Sequence, residues 1–293
     1  MKSALMIIAA MLVMGGLLFY FVPLETFNLL VPKDSGSKQR AKDVSYGDDP
    51  RHKLDIYAPS EGQGPWPTLI FVHGGSWKTG NKYPYEFVGR ALAAKGFLTI
   101  LPNYRLHPEH RYPGFVEDTA RAIDWATRHA GEYGGNPKQV IVSGHSAGGY
   151  NVAQAILDKR YLGALGTDVT AIKGVALLAA PLDFLPLDAG TAQEVFGAEK
   201  DLPATQPITY VRPDVPPFLI LYGTEDKIVK PKNSINLAAA LKAAGAKAEL
   251  KSYQGINHPG IMLAFSTLLR SRCPTLEDMV AFARSVSDMP SNG

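Results

Sequence analysis

Gly144-His145-Ser146-Ala147-Gly148 fits the pattern G-x-S-x-G. A serine hydroxyl is a poor nucleophile until a base takes its proton, so the pattern carries chemistry only where the backbone presents the hydroxyl to a partner histidine. The two glycines leave room for a tight strand-to-helix turn that holds Ser146 strained, with its hydroxyl exposed. The flanks agree. The apolar run Val140 to Val142 precedes the pattern, and Val152, Ala153, Ile156 and Leu157 share a helical face after Gly149. A purely structural glycine turn is the bland alternative; a strand before and a helix after favour catalysis.

A second turn, His73-Gly74-Gly75-Ser76-Trp77, follows the apolar run Thr68 to Val72. Attack on a carbonyl creates a negative oxygen that pre-aimed backbone N–H groups stabilise, and losing one such donor costs about 3 to 4 kcal/mol. Adjacent glycines let a backbone approach that closely. The amides of Gly75 and Ser76, with that of Ala147 after the nucleophile, are the expected oxyanion donors. Read blandly, His73 and Trp77 are packing groups on a Gly-Gly turn.

The elements that must position these turns are legible as runs. Thr68 to Val72, Leu98 to Leu101, Val140 to Val142, Val175 to Ala179, Phe218 to Tyr222 and Ala248 to Tyr253 are apolar-rich stretches bounded by turn residues. Continuous Val/Ile/Leu runs are what strands buried on both faces look like. Helical patterns fill the gaps, as with Leu237 and Leu241 between Asn233 and Gly245. Alternating strands and helices predict an α/β fold with a mostly parallel sheet covered by helices. No repeat interrupts this, so residues 45–293 read as one catalytic domain. Residues 181–217 are proline-marked and strand-poor, which suits a small cap segment.

The two turns together resemble the α/β-hydrolase superfamily in its carboxylesterase and hormone-sensitive-lipase-like branch. Asn103-Tyr104-Arg105-Leu106, Pro113 and Asp118 before Trp125 match that branch's spacing, and the likeness covers about residues 45 to 285. Ser76 stands where lipase-like members carry a third glycine, and His-Gly-Gly-x-Trp also recurs in arylformamidase-like and polysaccharide-esterase-like relatives. The resemblance implies an α/β-hydrolase fold and the chain order nucleophile, acid, base. His258 is the only histidine downstream of Ser146, so it is the expected base and later the acid toward the leaving group. Asp226, which follows Phe218 to Tyr222 through Gly223-Thr224-Glu225, is the expected acid; Asp183 is the alternative, one strand earlier. Cleavage of a carboxylic ester through an acyl-enzyme on Ser146 follows. Amide or formamide hydrolysis, or acyl transfer, would use the same triad. A non-catalytic binding member would lack one of these residues.

Neither cofactor nor metal is expected. His107, His110 and His129 have no ligand spacing, and the single Cys273 can form neither an internal disulfide nor a zinc ribbon. Arg105 could bind a substrate carboxylate or sit in a structural ion pair; Tyr83, Tyr85 and Phe87 could line an acyl pocket or simply pack. Tyr150 is expected beneath the elbow.

The 293 residues carry a net charge of +3. Residues 1–42 hold five basic and two acidic groups, so the whole excess lies there and residues 43–293 are neutral. A nucleic-acid partner would need a basic body and is excluded, whereas an uncharged ester substrate suits a neutral one. From Ala4 to Val22 run 19 residues without a charge. At about 1.5 Å each they span roughly 28 Å, close to a bilayer's hydrocarbon thickness. Residues 1–24 are therefore expected to be an uncleaved membrane anchor, since no A-x-A-like cleavage site follows. Residues 25–44 are the expected linker. Lys2 on one side and Lys33, Lys38 and Arg40 on the other pull orientation both ways, with the extracytoplasmic side preferred for the domain.

Overall fold

The computed structural model describes residues 23–287. The elements in chain order are α1 (Pro23–Leu30), β1 (Ser37–Ser45), β2 (Lys53–Pro59), β3 (Trp66–Val72), α2 (Glu86–Ala94), β4 (Leu98–Pro102), α3 (Gly114–His129) and β5 (Gly135–His145). They continue with α4 (Ala147–Leu157), α5 (Lys159–Leu165), β6 (Ile172–Leu178), α6 (Thr191–Phe196), β7 (Phe218–Gly223), α7 (Lys232–Ala243), β8 (Ala248–Tyr253), α8 (Gly260–Leu263) and α9 (Thr275–Val286).

The eight strands form one sheet in the order β1-β2-β4-β3-β5-β6-β7-β8. β1 and β2 pair antiparallel, as do β2 and β4; every pairing from β4 through β8 is parallel. This is the α/β-hydrolase architecture, and all six apolar runs lie in or overlap parallel strands. One face of the sheet is covered by α3, α4 and α7 through Val116, Ile123, Val152, Ile156 and Leu237. The other is covered by α2 and α9 through Val88, Leu92, Leu276 and Met279. Burial on both faces is why those strands read as unbroken apolar runs.

β1 and β2 escape that signal. β1 is an edge strand, almost wholly polar and mostly exposed, held to β2 by backbone pairing with two register shifts. β2 carries Asp55 inside the fold, where the buried Lys82 ammonium meets it at 2.7 Å. In place of the linker expected over residues 25–44, the chain thus runs through α1 into β1. α1 is seated by Phe27 edge-on to Phe87 (5.4 Å) and by Asn28, whose amide donates to the Tyr83 carbonyl and whose Oδ1 accepts the Phe87 N–H.

The apolar run 4–22, with most of the expected anchor 1–24, lies outside the described residues. No helix among the described residues is long and apolar enough to cross a membrane. Residues 181–217 hold α6 and two short 3-10 turns, with no strand.

Candidate active site

The parallel pairing sets the site. β3 lies beside β5, with Val72 opposite Gly144, so the turns leaving their carboxyl ends are neighbours. β7 lies beside β8, with Gly223 opposite Tyr253, so the loops carrying Asp226 and His258 also leave side by side. The order β4-β3-β5 reverses direction at β3, and clefts open at such switch points.

Ser146 sits between β5 and α4 with φ 54° and ψ −126°, in a region that costs a non-glycine residue about 1–3 kcal/mol. Its amide donates to the Leu178 carbonyl at 2.9 Å, tying the turn to the end of β6. Gly148 lets α4 press against β3: a Cβ there would lie 2.2 Å from the Val72 oxygen. The Tyr150 ring is fully buried beneath the elbow, and its hydroxyl donates to the Thr205 carbonyl at 2.7 Å.

Ser146 Oγ is 2.9 Å from His258 Nε2, and His258 Nδ1 is 2.7 Å from Asp226 Oδ2. All three residues are less than 9% exposed. Asp226 Oδ1 accepts the amides of Ile228 (2.9 Å) and Val229 (2.8 Å), which orients the carboxylate. Asp183 is turned elsewhere: its Oδ2 accepts from Asn236 of α7 at 2.6 Å. A carboxylate on Nδ1 leaves Nε2 free to accept the serine proton, and it stabilises the imidazolium that results.

The turn after β3 is braced from several sides. Tyr85 Oη accepts the Gly74 amide (3.1 Å), and the Gly75 carbonyl accepts the amides of Lys78 and Thr79. Trp77 Nε1 donates to Asn151 Oδ1 at 3.0 Å. Gly75 has φ 125°, and a Cβ on it would meet the Thr79 oxygen at 2.1 Å. No acceptor among the described residues takes the amides of Gly75 or Ser76. Ala147 is the first residue of α4, so its N–H has no partner within the helix. His73 stacks on Tyr104 with ring centroids 4.4 Å apart, and burial lowers its pKa to about 3.

A cleft of about 400 Å³ contains Ser146, Ser76 and Ala147. Trp77, Phe184, Pro186, Ile228 and Val229 give it apolar walls, and Asp188, Lys230 and Lys232 add charge. Phe184 and Pro186 come from the strand-poor segment, and α6 is joined to the turn after β3 by the Lys78–Glu194 ion pair. None of Tyr83, Tyr85 or Phe87 lines this cleft: Tyr85 and Phe87 are buried in the core and Tyr83 faces solvent. Phe184 and Ile228 lie in irregular chain, where no periodicity marks a lining residue. Arg105 grips the buried Asp118, with Nε and Nη2 between 2.7 and 3.0 Å from its oxygens. His145 is a further missed contact. Its Nε2 lies 3.1 Å from the His258 main-chain oxygen. The only signal was its place as the variable residue of G-x-S-x-G.

The family profile BD-FAE matches residues 54–241. A probable isoprenylcysteine alpha-carbonyl methylesterase of Oryza sativa subsp. japonica is 31% identical over 265 residues, 84% of this chain and 64% of that protein. Esterase LipC of Mycobacterium tuberculosis is 31% identical over 222 residues, 68% of this chain and 54% of its own. The chain thus spans less than two thirds of the length of these relatives. A solved truncated form of a carbohydrate esterase from gut microbiota superposes with a TM-score of 0.77 at 26% identity, covering 88% of this chain and all of that one.

Proposed function

The chain belongs to the BD-FAE family of α/β-hydrolases, and from that premise we propose that it hydrolyses carboxylic esters through an acyl-enzyme on Ser146. The observation that carries this reading is the unbroken chain Ser146–His258–Asp226, at 2.9 and 2.7 Å, with Ser146 lining a cleft. The esterase names borne by the relatives and the structural neighbour support the reaction class.

His258 Nε2 takes the Ser146 proton as Oγ attacks the ester carbonyl, while Asp226 holds Nδ1–H and stabilises the positive ring. The amides of Gly75, Ser76 and Ala147 receive the oxyanion of the tetrahedral intermediate. Collapse of that intermediate breaks the ester bond, and the proton on Nε2 passes to the departing alkoxide. Water, deprotonated by the same nitrogen, then releases the acid and restores Ser146. Residues 181–217 act as a cap that shapes the apolar wall through Phe184 and Pro186.

A series of p-nitrophenyl esters of increasing acyl length tests the reaction, with Ser146→Ala as control. Turnover of the shorter esters that vanishes in Ser146→Ala is the expected result. Activity surviving that substitution removes the mechanism.

Residues 1–24 anchor the domain to a membrane. This rests on the 19 uncharged residues 4–22 and the basic excess confined to residues 1–42, which suits anionic headgroups. The full chain should sediment with membranes and be released by detergent, while a chain starting at Pro23 stays in the aqueous fraction. Equal partitioning of the two would remove the anchor.

A further inference from the structure

His145 is 5% exposed and lies between the two halves of the site. Its ring is 4.8 Å, centroid to centroid, from that of His258, with Nε2 3.1 Å from the His258 main-chain oxygen. On its other side is the oxyanion turn, where a Cβ on Gly74 would fall 3.2 Å from His145 Nδ1. Burial, with the adjacent His258 second, lowers the His145 pKa to about 3, so the imidazole carries a single proton at neutral pH. A carbonyl oxygen can only accept, which places that proton on Nε2. Nδ1 is then a bare acceptor, and no hydrogen-bond partner meets it among the described residues.

His258 belongs to the loop between β8 and α8, where no ladder or helix holds its backbone. Its side chain is held by Asp226, and its carbonyl is held by His145. We propose that His145 is a positioning residue: its Nε2–H fixes the main chain of His258 and so keeps Nε2 of His258 in register with Ser146. The proposal rests on the roles given above to Ser146 and His258. The elbow and the histidine loop, 113 residues apart in the chain, are thereby joined by one hydrogen bond in addition to the triad itself. An uncharged imidazole is also the donor that adds no second positive charge beside the imidazolium formed in each half-reaction.

The test compares His145→Gln, whose amide nitrogen can occupy the Nε2 position, with His145→Phe, which fills the site without a donor, and His145→Asn, whose shorter amide stops at the Nδ1 position. Each is assayed as purified full-length protein on a p-nitrophenyl ester, with thermal midpoints recorded. Because misplacing a reacting group by 1 Å can cost about 100-fold, kcat should fall about 10- to 100-fold in the Phe and Asn variants with KM within about twofold. The Gln variant should retain kcat within about threefold. Near-normal kcat in either Phe or Asn overturns the proposal, as does a folded Gln variant impaired as severely as they are. If the Phe variant does not fold, Asn against Gln decides alone. Loss of the underlying reading is seen separately, as wild-type turnover that survives Ser146→Ala.

Discussion

Asp226 divides its two carboxylate oxygens between the backbone and His258. Oδ2 lies 2.7 Å from His258 Nδ1, while Oδ1 accepts the amides of Ile228 and Val229 at 2.9 and 2.8 Å. The loop after β7 therefore holds the carboxylate through contacts separate from the one to the histidine. Asp226→Asn should keep the loop, since an amide oxygen can still accept, but should present the wrong tautomer to Ser146. Its kcat should fall by about four powers of ten with the thermal midpoint little changed. Asp183→Asn should leave kcat within about twofold, because Asp183 pairs with Asn236 instead. Steady-state kinetics on both variants decides between them; a normal Asp226→Asn moves the role away from Asp226.

Two glycines should respond to alanine in opposite ways. At Gly148 a Cβ would sit 2.2 Å from the Val72 oxygen and 2.3 Å from the His73 oxygen, both backbone. α4 must then retreat from β3, carrying Ser146 away from the turn that follows β3. Gly148→Ala should lose about 1–3 kcal/mol of stability and most of its activity. At Gly163, inside α5, nothing lies within 4 Å of the new Cβ. Gly163→Ala should gain about 0.5–1 kcal/mol without changing kcat. Denaturant unfolding of both variants reads the contrast, and a neutral Gly148→Ala would contradict the close packing.

Acid should destabilise the fold through its buried histidines. Burial lowers the folded pKa of both His73 and His145 from 6.5 to about 3. Between those values the unfolded chain binds protons that the folded chain does not, so stability falls as pH drops from about 6.5 toward 3 and is fully present above. Each site contributes a slope of up to about 1.4 kcal/mol per pH unit. Urea midpoints measured across that window should show the loss. His145→Gln, which cannot be protonated there, should shallow the slope; an unchanged slope would mean that His145 is already charged in the folded state.

The Arg105–Asp118 pair should matter for stability and not for substrate choice. Asp118 is fully buried, accepts the Arg105 side chain at up to 3.0 Å and the Arg105 amide at 2.8 Å, and has His52 Nε2 2.9 Å away. Asp118→Ala strands that guanidinium. The cost should be at the lower end of the about 3–5 kcal/mol seen when buried pairs are broken, because Arg105 keeps 21% of its side chain in water. Arg105→Ala should leave the ratio of kcat/KM for neutral and carboxylate-bearing esters unchanged. A selective loss on the carboxylated ester would return Arg105 to substrate binding.

The parallel strands were legible because burial on both faces leaves runs such as Val140 to Val142 without polar interruptions. The serine turn was legible because its glycines are required by contacts within a few residues and with one neighbouring strand. His258 could be singled out by chain order because it is the only histidine downstream of Ser146. β1 was not legible: an exposed edge strand is held by backbone hydrogen bonds, which leave no mark on side-chain type. For the same reason residues 25–44 read as a linker, although Asn28 and Phe27 seat α1 against Tyr83 and Phe87.

Local sequence thus marked which residues could do chemistry: a serine on a tight turn, a Gly-Gly turn after a strand, one downstream histidine and two candidate acids. Only the tertiary structure sets Asp226, and not Asp183, against His258, because that contact depends on which strand-end loop lies beside that of His258, and strand order is a long-range property. It also decided that Phe184 and Ile228, not Tyr85 and Phe87, form the cleft wall, and that His145 reaches the His258 backbone. Those contacts join segments far apart in the chain, where neither spacing nor periodicity carries a signal.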